Sequence, residues 1–175
     1  PLRGARARAR LLVSSLLYGN QATVPIPDLD RTDFLLVLGA NPVVSNGSVM
    51  TAPDVRRRLE RLRGRGGRLV VVDPRRTETA ALADEHHFIR PGTDAILLAA
   101  LLDTIFAEGL AAPGRLAPML DGLPALRAAV TPFTPEAAEG PTGVPAATIR
   151  DLARAFARAR TAVCYGRMEI GRAHV

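Results

Sequence analysis

Two short, continuous apolar runs constrain the fold of this chain more than any other feature of its sequence. Phe34–Leu38 and Leu69–Val72 contain no polar residue, and each is followed at once by residues typical of turns, Gly39-Ala40-Asn41-Pro42 and Asp73-Pro74. A run of this length that is apolar at every position is typical of a strand buried on both faces, as in the centre of a parallel sheet. The two runs therefore predict parallel strands.

A helix between the two runs completes a strand–helix–strand unit. Val55, Leu59 and Leu62 repeat at helical spacing within Pro53–Arg63 and predict its buried stripe, and a proline is tolerated in the first turn. Parallel strands joined through such a helix imply a right-handed crossover.

Helices and strands continue to alternate along the rest of the chain. Further strands are predicted at His87–Ile89 and Ala162–Tyr165, and helices at Arg6–Leu17, Thr77–Ala83, Asp94–Glu108 and Pro145–Arg158. Leu110–Gly143 is rich in proline and glycine, and we expect short helices there in a covering layer. This order predicts an α/β fold: an open, mainly parallel sheet with flanking helices, a Rossmann-like three-layer αβα arrangement.

The composition limits the classes of function. All 23 basic residues are arginine and the net charge is +6, which raises the hypothesis of a nucleic-acid binder. The arginines are mostly scattered and aromatic residues make up only 4%, so stacking platforms are scarce and we expect solvated surface charge instead. No apolar run is long enough to span a bilayer, and we expect no direct membrane insertion.

Cysteine and histidine do not suggest a metal site. The single cysteine, Cys164, excludes an intrachain disulfide or a cluster held within this segment, and we expect it to be a small buried apolar residue. His86 and His87 are adjacent, so in a strand they point to opposite faces and make a poor metal pair. No residue is predicted to be catalytic or to bind metal.

Three polar loops carry the predicted chemistry: Gly39–Ser48, Asp73–Thr77 and Arg90–Asp94. Each follows the carboxyl end of a predicted strand, and that edge of an open parallel sheet is where ligands bind. In the first loop, Gly39 permits close backbone approach, while Asn41 and Ser45 offer polar groups suited to a diphosphate or a ribose. The alternative is an ordinary strand-to-helix turn.

The second and third loops each supply a carboxylate. Asp73 is placed to accept hydrogen bonds from ribose hydroxyls, and Arg75 or Arg76 to meet a phosphate. The alternatives are that Asp73 only caps a strand end and that Thr77 only starts the next helix. Asp94 can accept both adjacent N–H groups of a guanine. Alternatively, Thr93 or Asp94 caps the helix and complements its dipole.

In order and approximate spacing, the three loops resemble those of the bis-molybdopterin guanine dinucleotide oxidoreductases. The segments that carry the resemblance are DFLLVLGANP from Asp33, VVVDPRRTETA from Val70 and IRPGTDA from Ile89. That family includes formate dehydrogenases, nitrate reductases and dimethyl sulfoxide reductases, and this chain looks most similar to formate-dehydrogenase-like members.

The resemblance implies a molybdopterin guanine dinucleotide cofactor with molybdenum or tungsten. It implies contacts along the dinucleotide from Gly39, Asn41 and Ser45. At the nucleotide end it implies contacts from Asp73 and Thr77. The guanine is then met by Gly92, Thr93 and Asp94.

The resemblance also implies further segments that we do not find in this sequence. Family members carry an N-terminal region, often with an iron–sulfur cluster, a metal-ligating residue and a C-terminal domain. We therefore expect an internal fragment, inactive alone: a helical lead-in over residues 1–22, the α/β domain over 23–168, and a tail over 169–175. Ile170–Val175 looks like a translated sequencing adapter, and we expect that tail to be artefactual.

Two function hypotheses follow from different classes. The leading one is the cofactor-binding segment of a molybdenum or tungsten oxidoreductase, with the rest of the parent chain and electron-transfer subunits as partners. We expect a cytoplasmic location, with a periplasmic one as the alternative. The second hypothesis is a stand-alone α/β nucleotide-binding module without redox activity.

Overall fold

The sheet is built from four parallel strands around the first apolar run. The computed structural model describes residues 12–21, 23, 25–47 and 50–166. The strands are β1 (Phe34–Leu38), β2 (Arg68–Val72), β3 (Glu85–His87) and β4 (Ala162–Gly166), in the order β3-β2-β1-β4. Every pairing is parallel, with Phe34 opposite both Arg68 and Ala162. The predicted α/β class with an open parallel sheet is confirmed.

Helices connect the first three strands, and a longer run of helices lies between β3 and β4. They are α1 (Val55–Gly64), α2 (Glu78–Leu82), α3 (Asp94–Ala107), α4 (Leu123–Val130), α5 (Pro135–Thr142) and α6 (Ala146–Arg158), with a 3-10 helix at Gly114–Met119. Residues 12–18 are helical, at the end of the predicted lead-in helix, whereas Arg6–Leu11 lies outside the described residues.

The core lies on both faces of the sheet, because successive residues of a strand point to opposite sides. Leu36 and Val70 face one side, where they pack in a cluster with buried residues of α3, α5 and α6. Leu35 and Val71 face the other side, in a cluster with the predicted α1 stripe. The two clusters give the three-layer αβα arrangement and explain why β1 is apolar at every position.

Two predicted boundaries need correction. Helix α1 begins at Val55 rather than Pro53, because Asp54 has a left-handed backbone with φ of 51° and breaks the helical path. Strand β3 spans Glu85–His87 rather than His87–Ile89, because its pairing with β2 ends where Val72 lies opposite His87. Ile89 is still buried, but it packs into the core beyond the end of the strand.

The prediction for Cys164 was wrong. Cys164 is exposed, and it lies on β4 at the edge of the described sheet. Its neighbour Tyr165 is buried among the residues packed on α1.

Within the described ranges, the structure contains no helix that is both long enough and apolar enough to cross a membrane.

The buried centre of β1 gives a direct test of this packing. Leu36 is 2% exposed, and Leu36→Ala leaves a cavity against α3 and α6, so we expect it to lower the free energy of unfolding by about 2–5 kcal/mol. Leu116→Ala is the matched control, since Leu116 is 48% exposed and its truncation should change stability by less than about 0.5 kcal/mol. Urea titration measures both, and equal effects would contradict the assigned core.

Candidate functional site

The carboxyl ends of the strands bring the three polar loops to one edge of the sheet. The Gly39 N–H donates to the Val72 carbonyl at 3.0 Å, and the Asp73 N–H donates to the His87 carbonyl at 3.2 Å, so the ends of β1, β2 and β3 are tied side by side. The chain passes from β1 through β2 to β3 and then returns to β4 on the other side of β1. Such a reversal of strand order opens a crevice for a ligand.

Asp73 is a buried carboxylate with unused hydrogen-bonding capacity. It is 6% exposed, and its Oδ1 accepts one hydrogen bond, from the Arg75 N–H at 2.8 Å. Among the described residues, no other donor reaches this carboxylate. A buried carboxylate oxygen without a donor is costly unless a ligand supplies one, which fits a hydroxyl-bearing ligand.

The electrostatics tie Asp73 to Asp94. Burial raises the pKa of the Asp73 carboxyl above its ordinary value, and the negative charge of Asp94 raises it further. The Arg75 amide and guanidinium and the His86 ring act in the opposite direction. The carboxylates of the second and third loops therefore lie within electrostatic reach of each other.

The third loop presents an open helix terminus. Gly92 has φ of 82°, in the region that favours glycine, and a Cβ there would meet nothing within 4 Å. Asp94 opens α3, and neither its carboxylate nor its backbone N–H has a hydrogen-bond partner in the described part of the chain. The predicted side-chain cap by Thr93 is absent, because its hydroxyl donates to the Arg90 carbonyl at 2.7 Å instead.

The second loop combines a cation with a structural threonine. Arg75 is exposed and forms no ion pair with the described residues, so its guanidinium is available to an anion. Thr77 is buried, and its hydroxyl accepts a hydrogen bond from the Ala80 N–H at 3.1 Å. The alternative that Thr77 starts the next helix is therefore correct, and its predicted contact with a cofactor stays a prediction.

The first loop is held by an amide that joins it to α2. The side-chain oxygen of Asn41 accepts from the Thr79 hydroxyl at 2.7 Å and from the Thr79 N–H at 3.2 Å. The side-chain nitrogen of Asn41 donates to the Glu78 carboxylate at 2.6 Å. That bond is the main cause of a lowered Glu78 pKa. The Asn41 side chain thus ties the first loop to α2, and its predicted direct contact with a ligand stays a prediction.

The other two predicted residues of the first loop lie at different places: Gly39 directly follows β1, and Ser45 lies further along the loop. Gly39 has φ of 53°, which favours glycine at this position. Ser45 is partly exposed, and its N–H donates to the backbone carbonyl of Asn41 at 3.0 Å. Ser48, at the end of the loop, lies outside the described residues.

Sequence reasoning missed a pair of rings beside Asp73. His86 Nε2 lies 3.1 Å from the Asp73 carbonyl oxygen, and the His86 ring contacts Phe88 edge-to-face, with centroids 4.5 Å apart. The signal was present in the alternation of His86 and Phe88, but the predicted strand was displaced by two residues. His87 points away and contacts Glu85, so the predicted opposite orientation of the two histidines is confirmed.

Side chains suited to a metal site do not gather in the described residues. No group of three or more histidine, cysteine, aspartate or glutamate side chains with suitable geometry occurs in those ranges.

Comparison with known proteins decides the family. Residues 3–167 match the sequence model of the molybdopterin oxidoreductases. The chain belongs to the molybdopterin oxidoreductase family. The resemblance found in the three loops is therefore confirmed.

Individual relatives agree with this assignment. Formate dehydrogenase H of Escherichia coli (strain K12) is 35% identical over 137 residues, which cover 78% of this chain and 18% of that protein. A dimethyl sulfoxide/trimethylamine N-oxide reductase of Rhodobacter capsulatus is 31% identical over 159 residues, covering 86% of this chain and 19% of the relative. Among solved structures, acetylene hydratase from Pelobacter acetylenicus superposes with a TM-score of 0.76 at 25% identity, covering 91% of this chain and 21% of that one. The chain thus spans about a fifth of the length of these relatives.

The buried carboxyl of Asp73 predicts a specific dependence of stability on pH. With its pKa raised, the folded state holds a proton at pH values where the unfolded chain has already lost it. The free energy of unfolding therefore falls as pH rises from the ordinary aspartate range through the folded pKa, and neutral pH carries the whole penalty. Asp73→Asn should raise the Tm of the ligand-free protein at pH 7, and the gain should shrink toward about pH 3.9 and below.

Calorimetry at a series of pH values tests this expectation. Asp121→Asn is the matched control, because Asp121 also accepts a backbone N–H, from Gly122 at 2.8 Å, but is exposed. A lower Tm for Asp73→Asn than for the wild type at pH 7 would show that the ionised carboxyl stabilises the fold.

Proposed function

We propose that this edge of the sheet holds the guanine-nucleotide end of a molybdopterin guanine dinucleotide. The observation that carries the proposal is the pair of carboxylates with unused acceptor capacity: Asp73, directly after β2, and Asp94, at the start of α3, whose charge reaches Asp73. A carboxylate accepts two parallel N–H bonds, and guanine offers two adjacent donors, so Asp94 suits the base. Asp73 suits the ribose hydroxyls, because a buried aspartate at a strand end accepts from a diol.

The surrounding groups suit the phosphates of such a cofactor. Helix α3 has 14 residues and directs its free N-terminal N–H groups toward the same edge, where they favour an anion. Arg75 adds an exposed guanidinium that can form paired hydrogen bonds to phosphate. Gly39 and Gly92 leave the backbone without side chains where the loops turn.

Family membership implies a molybdopterin cofactor with molybdenum or tungsten. When bound, such a cofactor supplies the redox-active metal centre, and the protein contributes binding and orientation. In this division, the residues at the sheet edge hold the nucleotide end in one position. We propose no metal ligand among them.

We propose that the protein acts as a formate-dehydrogenase-like oxidoreductase. The proposal rests on the relative named formate dehydrogenase H, which matches 78% of this chain. A structural neighbour named as a hydratase is a reminder that one fold hosts different reactions.

The exposed apolar side chains of the 3-10 helix support the expectation that this unit packs against further domains. Leu116 and Met119 of this helix and Leu120, which follows it, are all exposed. Large exposed apolar patches mark interaction sites, and exposed apolar residues this close in sequence are candidates for one. We propose that other parts of the same protein cover it.

Removing the Asp94 carboxylate tests the proposed guanine contact. In protein expressed from the complete gene, Asp94→Ala should lose most of its bound cofactor, because two charge-assisted hydrogen bonds disappear, each worth roughly 1.5–3 kcal/mol. Guanine and molybdenum or tungsten content per purified protein measures the loss. Circular dichroism should show an unchanged fold.

Asp103→Ala is the control on the same helix. Asp103 lies away from the first turn of α3, near Glu136, so its removal should leave cofactor content at the wild-type level. Full guanine and metal content in Asp94→Ala would mean that Asp94 serves only the helix terminus.

A further inference from the structure

Phe88 is an apolar ring left open at the same edge. It follows directly after β3 and is 62% exposed. Among the described residues, the next most exposed phenylalanine is Phe133, at 38%. The chain has only five phenylalanines, and one of them, Phe34, is fully engaged in the core. An exposed ring beside polar ligand-binding groups therefore requires an explanation that core packing does not provide.

The ring is held in place by a short series of contacts that ends at Asp73. Phe88 packs on His86 with an interplanar angle of 67°, and His86 Nε2 lies 3.1 Å from the Asp73 carbonyl oxygen. The Asp73 N–H in turn donates to the His87 carbonyl. The position of the Phe88 ring is thus coupled to the turn that presents the Asp73 carboxylate.

Phe88 lies between Asp73 and Asp94 in sequence. It directly follows β3, the strand that pairs with β2. Asp94 comes six positions later, at the start of α3, and its charge reaches Asp73. A planar base that is hydrogen-bonded by Asp94, with its ribose at Asp73, therefore lies close to the residue that carries this ring. Stacking between a base and an aromatic side chain is a strong and sequence-tolerant contact.

We propose that Phe88 is a stacking residue for the base of the bound nucleotide, with His86 as the positioning residue behind it. This inference rests on the proposed nucleotide site. It adds a contact that hydrogen bonding does not supply: the Asp94 carboxylate selects the edge of the base, and the phenyl ring of Phe88 holds its flat face. His86 acts through Phe88 and through the Asp73 carbonyl, and it does not touch the ligand.

Cofactor-free protein, expressed from the complete gene in a host that cannot make molybdopterin, provides the test. Isothermal titration with GMP and with ribose 5-phosphate separates contacts to the base from contacts to the sugar and phosphate. Phe88→Ala should weaken GMP binding about tenfold or more and leave ribose 5-phosphate binding unchanged. Phe88→Trp should retain GMP binding, since the larger ring also stacks.

Two further variants keep the result unambiguous. Phe88→Leu preserves apolar bulk without an aromatic face, so it should weaken GMP binding even if Phe88→Ala folds poorly. Phe133→Ala is the control, because Phe133 is 38% exposed but lies in the helical layer after α4. It should change neither affinity.

The outcomes distinguish this inference from the function on which it rests. If the wild type binds GMP and Asp94→Ala abolishes binding while Phe88→Ala and Phe88→Leu leave it unchanged, the stacking role is wrong and the nucleotide site stands. Equal weakening of GMP and ribose 5-phosphate by Phe88→Ala would also overturn the stacking role. If the wild type binds no GMP, both proposals fail.

Discussion

The burial of β1 on both faces is the constraint on which the rest of the structure depends. Its five residues are all buried, and it pairs with β2 on one side and β4 on the other. Because side chains of a strand alternate, both faces must be covered by helices. The three layers meet that requirement, and because all the described strands are parallel, their carboxyl ends lie at one edge. The edge that carries the three polar loops is thus a consequence of how the core is covered.

The same edge concentrates groups that the fold alone does not satisfy. Asp73 is buried with one hydrogen bond, and Asp94 adds a second negative charge within reach of it. By contrast, the Asn41 side chain joins the first loop to Thr79 and Glu78 through three hydrogen bonds. Polar groups that are left unsatisfied at a functional site lower the stability of the ligand-free state, and a ligand that supplies their partners recovers it. Asn41 thus holds the first loop in place, whereas Asp73 keeps acceptor capacity that the described residues do not use.

Periodicity predicted the fold well because burial dominates the elements that form it. The limits of β1 and the α1 stripe of Val55, Leu59 and Leu62 followed from apolar spacing. The prediction failed at β3, where Glu85, His86 and His87 are polar and each finds a specific partner. It also failed at Cys164, since an edge position cannot be distinguished from a central one by local pattern. Single contacts such as that of His86 with the Asp73 carbonyl depend on register between distant segments, which no local pattern contains.

The proposed nucleotide site explains why a fifth of a relative's length reveals the family but not the reaction. The relatives and neighbour bear names as different as formate dehydrogenase, dimethyl sulfoxide reductase and acetylene hydratase. In the proposed arrangement, this segment contacts the nucleotide end of the cofactor, and none of its residues is assigned to the metal. Its carboxylates, glycines and helix terminus are matched in that proposal to the shape and charge of a nucleotide. The proposal therefore leaves the choice of substrate to residues other than Asp73 and Asp94.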